Sequence, residues 1–305
     1  MGVFLLSAPP VVPPSRARRF PVRSQWEGWD GSIWDLHTGA QGVLLLQDVV
    51  GLHHSRHDRY LSSSRAVPGH RLRGTRPRAR EVVWPLLVYG DTQEDWFVTD
   101  KGFWRTIHPT LAGTWRVSVG AQVRELRLTA LLDNPDDGYA MDPYLNGWAK
   151  YVCEMEAAQP YWTGEVVSRV FEIGPVSPID FFDAAGSPPF HITPGSTFAT
   201  ASISNPGDVE AYPTWTAVGP LDDIQLGVGS VTIDVPFNLA ADEVLLIDTD
   251  PRNQAATLDG VDATTTLGFQ PLAAIDPGED RALTVVSTGT GTITCDIVPL
   301  YFRAF

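Results

Sequence analysis

The sequence predicts a mainly β protein built as two β-sandwich domains, the first carrying one short helix and an extended β-hairpin or arm. Three observations lead there. Apolar residues make up 43% of the 305 positions and charged residues 19%, enough to bury a core and too little charge for a disordered chain. Glycine (27) and proline (25) are abundant, which suits many short strands joined by turns better than long helices. Charge is also unevenly divided. Residues 1–130 hold 17 Lys/Arg against 11 Asp/Glu, a net of +6, whereas residues 131–305 hold 5 against 25, a net of −20. Such asymmetry points to two units with different surroundings. We place them at 1–175 and 176–305, with Gly174-Pro175-Val176-Ser177-Pro178 as the linker.

Residues 9–23 contain five prolines and four arginines and read as an extended arm. Residues 25–42, with Trp26, Trp29, Trp34 and the turn pair Asp30-Gly31, read as a strand-rich start. Residues 53–80 carry eight arginines, four histidines and a single acid, Asp58. Gly69, Gly74 and Pro77 argue against a helix, so this segment is a long loop or β-hairpin arm. The run 81–89 is almost wholly apolar and reads as a strand buried on both faces.

A helix follows. Thr92 stands at the N-cap position with Asp95 three residues on, close to a capping box, and Pro109 marks the far limit. Trp115, Val117 and Val119 alternate, and a second run from Val123 makes a hairpin with one wet face. Residues 133–147 form an acidic Pro/Gly-rich loop. Residues 148–157 and 165–173 read as strands. Beyond the linker, strand-like segments recur at 198–204, 214–218, 224–226, 230–235, 243–248, 281–287 and 291–298, at the spacing of a sandwich.

Several classes fall away. No apolar run approaches the roughly 18 residues of a membrane span. The apolar start 1–6 precedes its basic cluster, the reverse of a secretory signal, so no cleaved leader is expected. Cys153 and Cys295 are too few for a disulfide scaffold and read as buried apolar positions. Neither a nucleophile elbow nor a phosphate-binding or dinucleotide glycine motif is present.

The remaining chemical candidates each have a plainer reading. His53, His54 and His57 have metal-like spacing, but Arg56 and Arg59 repel a cation. Asp133, Asp136 and Asp137 lack the oxygen and Glu positions of a calcium loop, and as a hydrolase's carboxylates nothing separates their acidities. Asp248 and Asp250 suit a strand-end turn. Arg56, Arg59, Arg71, Arg73, Arg76, Arg78 and Arg80 suit contacts to phosphate or to an acidic protein, and docking on the acidic half of another copy is the favoured reading. Trp215 is a sugar-stacking candidate or, more simply, core. No cofactor or metal is expected.

The order of features resembles the distal tail proteins of siphophages. The N-terminal match runs through the Arg-rich segment, Arg80-Glu-Val-Val-Trp-Pro-Leu-Leu-Val88, Phe103-Trp104-Arg105-Thr-Ile-His-Pro109, Trp115-Arg116-Val117 and Ala157-Ala-Gln-Pro160-Tyr161-Trp162. The C-terminal match is more specific. It comprises Ser204-Asn205-Pro206-Gly207-Asp208, Ala211-Tyr212-Pro213-Thr214-Trp215, Gly219-Pro220, 244–251 and Ile275-Asp276-Pro277-Gly278, with Glu279-Asp280 where an Asn usually stands. The resemblance implies a structural virion protein at the distal end of a phage tail, made in the host cytoplasm. It implies a homohexameric ring, built by the N-terminal domain, that joins the tail tube protein to the tail tip or baseplate hub protein and lets DNA pass. The tape measure protein is a further neighbour. The C-terminal domain is then a galectin-like jelly-roll sandwich. No catalysis, membrane or sequence-specific nucleic acid is implied. The alternative is a carbohydrate-binding, host-recognising module in the C-terminal domain.

Overall fold

The computed structural model describes residues 22–131, 142–174 and 201–305. The acidic loop with Asp133, Asp136 and Asp137, most of the N-terminal arm and most of the expected linker lie outside them.

In chain order the first elements are β1 (Val22–Glu27), β2 (Ile33–Asp35), β3 (Val43–Leu45), β4 (His57–Ser64), β5 (Val67–Pro77), β6 (Arg80–Tyr89), α1 (Gln93–Trp104), β7 (Gly113–Val119) and β8 (Gln122–Ala130). Then come α2 (Pro143–Asn146), β9 (Trp148–Ala157), β10 (Trp162–Thr163), β11 (Val167–Glu172), β12 (Ser202–Ser204), β13 (Thr214–Val218), β14 (Leu221–Val228) and β15 (Val231–Asp234). The last are β16 (Val244–Asp248), β17 (Ala255–Leu258), β18 (Val261–Asp262), α3 (Thr264–Leu267), β19 (Asp280–Gly289), β20 (Thr292–Ile297) and β21 (Leu300–Tyr301).

The first sheet runs β2-β1-β7-β8-β9-β6-β3, with β10 and β21 attached beside β8. Strand β8 pairs with β7 along 122–128 and then with β9 at Thr129 and Ala130. One strand thus passes from one layer to the other, which closes the sheet over its own apolar face. Tryptophans fill the space. Trp26 and Trp115 are cross-strand neighbours on β1 and β7. Trp84 packs edge-on to both, at 5.3 and 5.2 Å between ring centroids, and Trp162 lies 5.0 Å from Trp115. Edge-to-face packing aligns the positive ring edge with the negative face of its neighbour. Trp26 Nε1 donates to Thr106 Oγ1 at 2.8 Å and Trp115 Nε1 to Ser24 Oγ at 2.8 Å, so these indole donors stay paired when buried.

The run 81–89 departs from expectation. In β6 the burial alternates: Val82, Trp84, Leu86 and Val88 are buried, whereas Val83, Pro85 and Leu87 keep part of their surface. The pairing is antiparallel on both sides, and an antiparallel sheet needs only one face in the core. Helix α1 forms as the sequence suggests. Thr92 Oγ1 accepts from Asp95 N at 3.1 Å, and the helix stops at Trp104, five residues before Pro109. Trp96 and Phe103, seven apart, bury the same stripe.

The second core lies between a six-stranded sheet, β11-β20-β13-β16-β17-β18, and a four-stranded sheet, β12-β19-β14-β15. Trp215, Ile247, Ile293 and Cys295 face Leu226, Ile233, Leu283 and Val285 across it. Cys153 belongs to the other core, so the two cysteines are well apart. The segment 165–173, grouped by sequence with the first unit, pairs along its length with β20 of the second. Conversely the chain's last strand, β21, returns to β10 of the first sheet, and Ala304 is buried in the first core. Strand pairing therefore changes sheets at 164–166 and again at 298–299.

Candidate assembly interface

Strands β4 and β5 pair with each other and with no other strand among the described residues. They form the arm that the 53–80 composition suggests. Partners across an antiparallel ribbon share a face. One face carries His57, Arg59 and Leu61 opposite Pro77, Thr75 and Leu72; the other carries Asp58, Tyr60 and Ser62 opposite Arg76, Gly74 and Arg71. Leu61 and Leu72 meet as a pair yet remain 48% and 50% exposed. Two strands alone are marginal in water, and among the described residues neither core includes a residue of this ribbon.

The arginines divide by environment. Arg59, Arg71, Arg73 and Arg76 are exposed on the ribbon and Arg56 at its root, within 3.6 Å of Glu81. Arg73 Nε donates to Ser62 Oγ at 2.9 Å across a register shift in the ribbon. Arg78 Nε donates to Asp58 Oδ1 at 2.6 Å, and this bond holds the Asp58 carboxyl below its usual range.

Arg80 is different and corrects the expectation that it faces a partner. It is 1% exposed. Strand alternation puts it on the inward face with Val82 and Trp84. Its guanidinium donates to four carbonyls: Pro160 at 2.6 Å, Gly51 at 2.7 Å, Phe302 at 3.0 Å and His53. Burial pushes its pKa down to about 10, which still leaves it charged at neutral pH. It joins the root of the arm, the 159–161 turn and the C-terminal tail.

One of the motifs singled out in the second half, Asn205 to Asp208, meets the same tail. Asn205, fully buried, donates through Nδ2 to the carbonyls of Val209 and Ile275, both at 2.8 Å, and accepts at Oδ1 from Gly207 N. A Cβ at Gly207 falls 2.7 Å from the Leu300 carbonyl oxygen, so only glycine fits. Asp208 accepts from Phe302 N at 3.0 Å, and its own N–H donates to Leu300 O at 2.7 Å. Gly278 N donates to Asn205 O at 2.8 Å. These residues hold loops and tail together and leave no group poised for chemistry.

Other candidates resolve in place. His54 stacks on Phe302, His53 meets Phe305 edge-on, and His57 Nδ1 lies 2.9 Å from the Ser55 carbonyl. The three histidines therefore point to different partners, and no group of three metal-ligating side chains occurs among the described residues. Asp248 and Asp250 sit in a strand-end turn, where Asp248 accepts from Asp250 N and Asp250 clasps Arg252. Trp215 is 1% exposed in the second core. It offers no ring face to a sugar, which corrects its reading as a contact residue. Among the described residues no helix is long and apolar enough to cross a membrane. The Arg80 clasp and the returning tail escaped the sequence reading. The one available signal was that Arg80 is in phase with the buried positions of its strand.

No family model matches this sequence, and no curated protein matches it. Solved structures do resemble it. The crystal structure of the Dit protein of phage SPP1, described as a paradigm of the hub adsorption apparatus in phages infecting Gram-positive hosts, superposes with a TM-score of 0.60 at 15% identity, covering 90% of this chain and 98% of that one. A chain of the phage P2 baseplate, in its activated conformation with calcium, gives 0.52 at 14% identity over 92% and 98%. The same baseplate with strontium gives 0.54 at 14% identity over 90% and 98%. The chain thus shares the fold of the SPP1 Dit protein and of this baseplate chain.

Proposed function

We propose that this protein is a structural component of a phage tail tip, assembling with copies of itself into a hexameric ring that joins the tail tube protein to the baseplate hub protein and lets DNA pass through its lumen. The carrying observation is the arm: a cationic two-stranded ribbon with an exposed leucine pair, marginal on its own, in a chain whose fold matches the SPP1 hub protein along almost its whole length. The neighbour's acidic half, −20 over residues 131–305, supplies a complementary surface. The tape measure protein is a further neighbour in this reading, the virion is the place of action, and catalysis has no part. A glycan-binding role for the C-terminal unit loses its best residue with the burial of Trp215.

Mass measurement of the purified protein, with electron microscopy of assembled tails, tests this reading. Closed rings at the distal tail end are expected. A persistent monomer together with tails that show no ring overturns it.

A further inference from the structure

An apolar patch lies on the two helices of the first sandwich. Val98 of α1 and Leu145 of α2 are 69% and 77% exposed, and Phe97 and Tyr144 are exposed beside them. Tyr144 joins the two helices, its ring 5.6 Å from the buried Trp96 and 6.1 Å from Phe97. The backbone fixes this neighbourhood: Gly90 N donates to Gly147 O at 3.0 Å, and Trp148 pairs with Tyr89. A contiguous exposed apolar patch marks an interaction site. Its rim is acidic. Glu94 lies three and four residues before Phe97 and Val98, on the same side of α1. Asp91 and Asp142 are exposed where the two helices begin. Neither Asp91 nor Glu94 has an ion-pair partner among the described residues.

The arm presents the complement. Its exposed leucine pair, Leu61 and Leu72, has Arg59 on the same face and Arg71 next along the strand, both exposed. An apolar centre with a cationic surround matches an apolar centre with an acidic one. The two surfaces do not meet within one chain. Among the described residues the ribbon pairs only with itself, and the leucines stay as open as the patch does. They also sit at opposite ends of β6. The arm joins it at Arg80 and the helices gather at Tyr89, nine residues or about 30 Å away. Complementary surfaces at two ends of one chain pair head to tail between copies, a contact that repeats until a ring closes.

We propose that each copy docks its Leu61–Leu72 pair on the α1–α2 patch of the next, with Arg59 and Arg71 against Asp91 and Glu94. This rests on the tail-tip reading, in which the arm meets another copy, and adds the surface that receives it.

Cross-linking of the full chain tests it. Leu72→Cys and Leu145→Cys proteins, mixed and treated with a short bis-maleimide, are expected to give a covalent dimer that neither gives alone. The native thiols of Cys153 and Cys295 are buried. Leu72→Cys mixed with Val261→Cys, an exposed position on the second sandwich, is expected to give none. Charge reversal gives a second readout. Arg59→Glu with Arg71→Glu, or Asp91→Arg with Glu94→Arg, is expected to weaken association about tenfold in sedimentation, the effect of some 1.4 kcal/mol. All four changes together are expected to recover most of it, because the attraction is restored with its signs exchanged. A cross-link from Leu72 to Val261 in place of Leu145 overturns the proposal. So does weakened association without recovery in the combined variant. Closed rings at tail ends with neither cross-link nor recovery overturn it and leave the tail-tip reading standing; a persistent monomer with ringless tails removes both.

Discussion

Arg80 donates a hydrogen bond to the carbonyl of Phe302, 222 residues further along the chain, at 3.0 Å. The same guanidinium holds Gly51, His53 and Pro160. A buried cation without a buried acid is costly, and here four carbonyl dipoles offset that cost. The guanidinium that helps fasten the tail therefore also fixes the root of the arm.

Arg80→Ala leaves four carbonyls without their donor and a void beside the tryptophan core. A loss of about 3 to 5 kcal/mol in the stability of the first sandwich is expected. Urea unfolding followed by tryptophan fluorescence checks it. Arg80→Lys, with three donors on a narrower head, recovers part of the loss.

The leucine pair of the arm behaves oppositely. Leu61→Ser with Leu72→Ser removes apolar surface that the single chain leaves half-exposed. Monomer stability is expected to stay within about 0.5 kcal/mol, as for other surface changes. Assembly mass is expected to fall. Sedimentation beside a thermal melt separates the two effects; a large loss of melting temperature contradicts the placement of the pair outside the core.

The legibility of these features follows from range. Strand 148–157 and helix 93–104 were readable because turn residues, alternation and a hydroxyl cap act within a few positions. The arm was readable as a loop or hairpin because charge and glycine excluded the other options. Alternation reveals a face but not a partner, so the segment 165–173 groups by sequence with the first unit, although its partner β20 lies more than a hundred residues away. Arg80 looked like its exposed neighbours because composition does not show strand phase. The motifs around Asn205 and Gly278 are visible as a pattern, and their role in holding each other's loops shows only where the loops meet.

Trp215 carries the clearest contrast between packing and recognition. Buried in the second core, its truncation to Ala is expected to cost about 3 to 5 kcal/mol. Calorimetry of the variant checks the loss. Glycan arrays on the native protein are expected to show no binding that depends on this ring.

The acid side of stability has a local source in Asp250. Its hydrogen bond from Arg252 holds the carboxyl below the ordinary value of 3.8. A group whose folded-state pKa is depressed binds protons more readily when unfolded, so its contribution is present above the unfolded pKa and is lost as pH falls through the folded one. Arg252 is exposed and Asp250 half-buried, so solvent screens the pair in part and the effect is modest. Asp250→Asn is expected to leave the slope of stability unchanged near neutrality and to flatten it below about pH 4, since the variant has no proton to take up there. Urea midpoints measured at steps from pH 6 downward check this. A variant that keeps the native slope below pH 4 shows that other carboxylates set the acid limit, and that the Arg252 clasp contributes only geometry to the turn after β16.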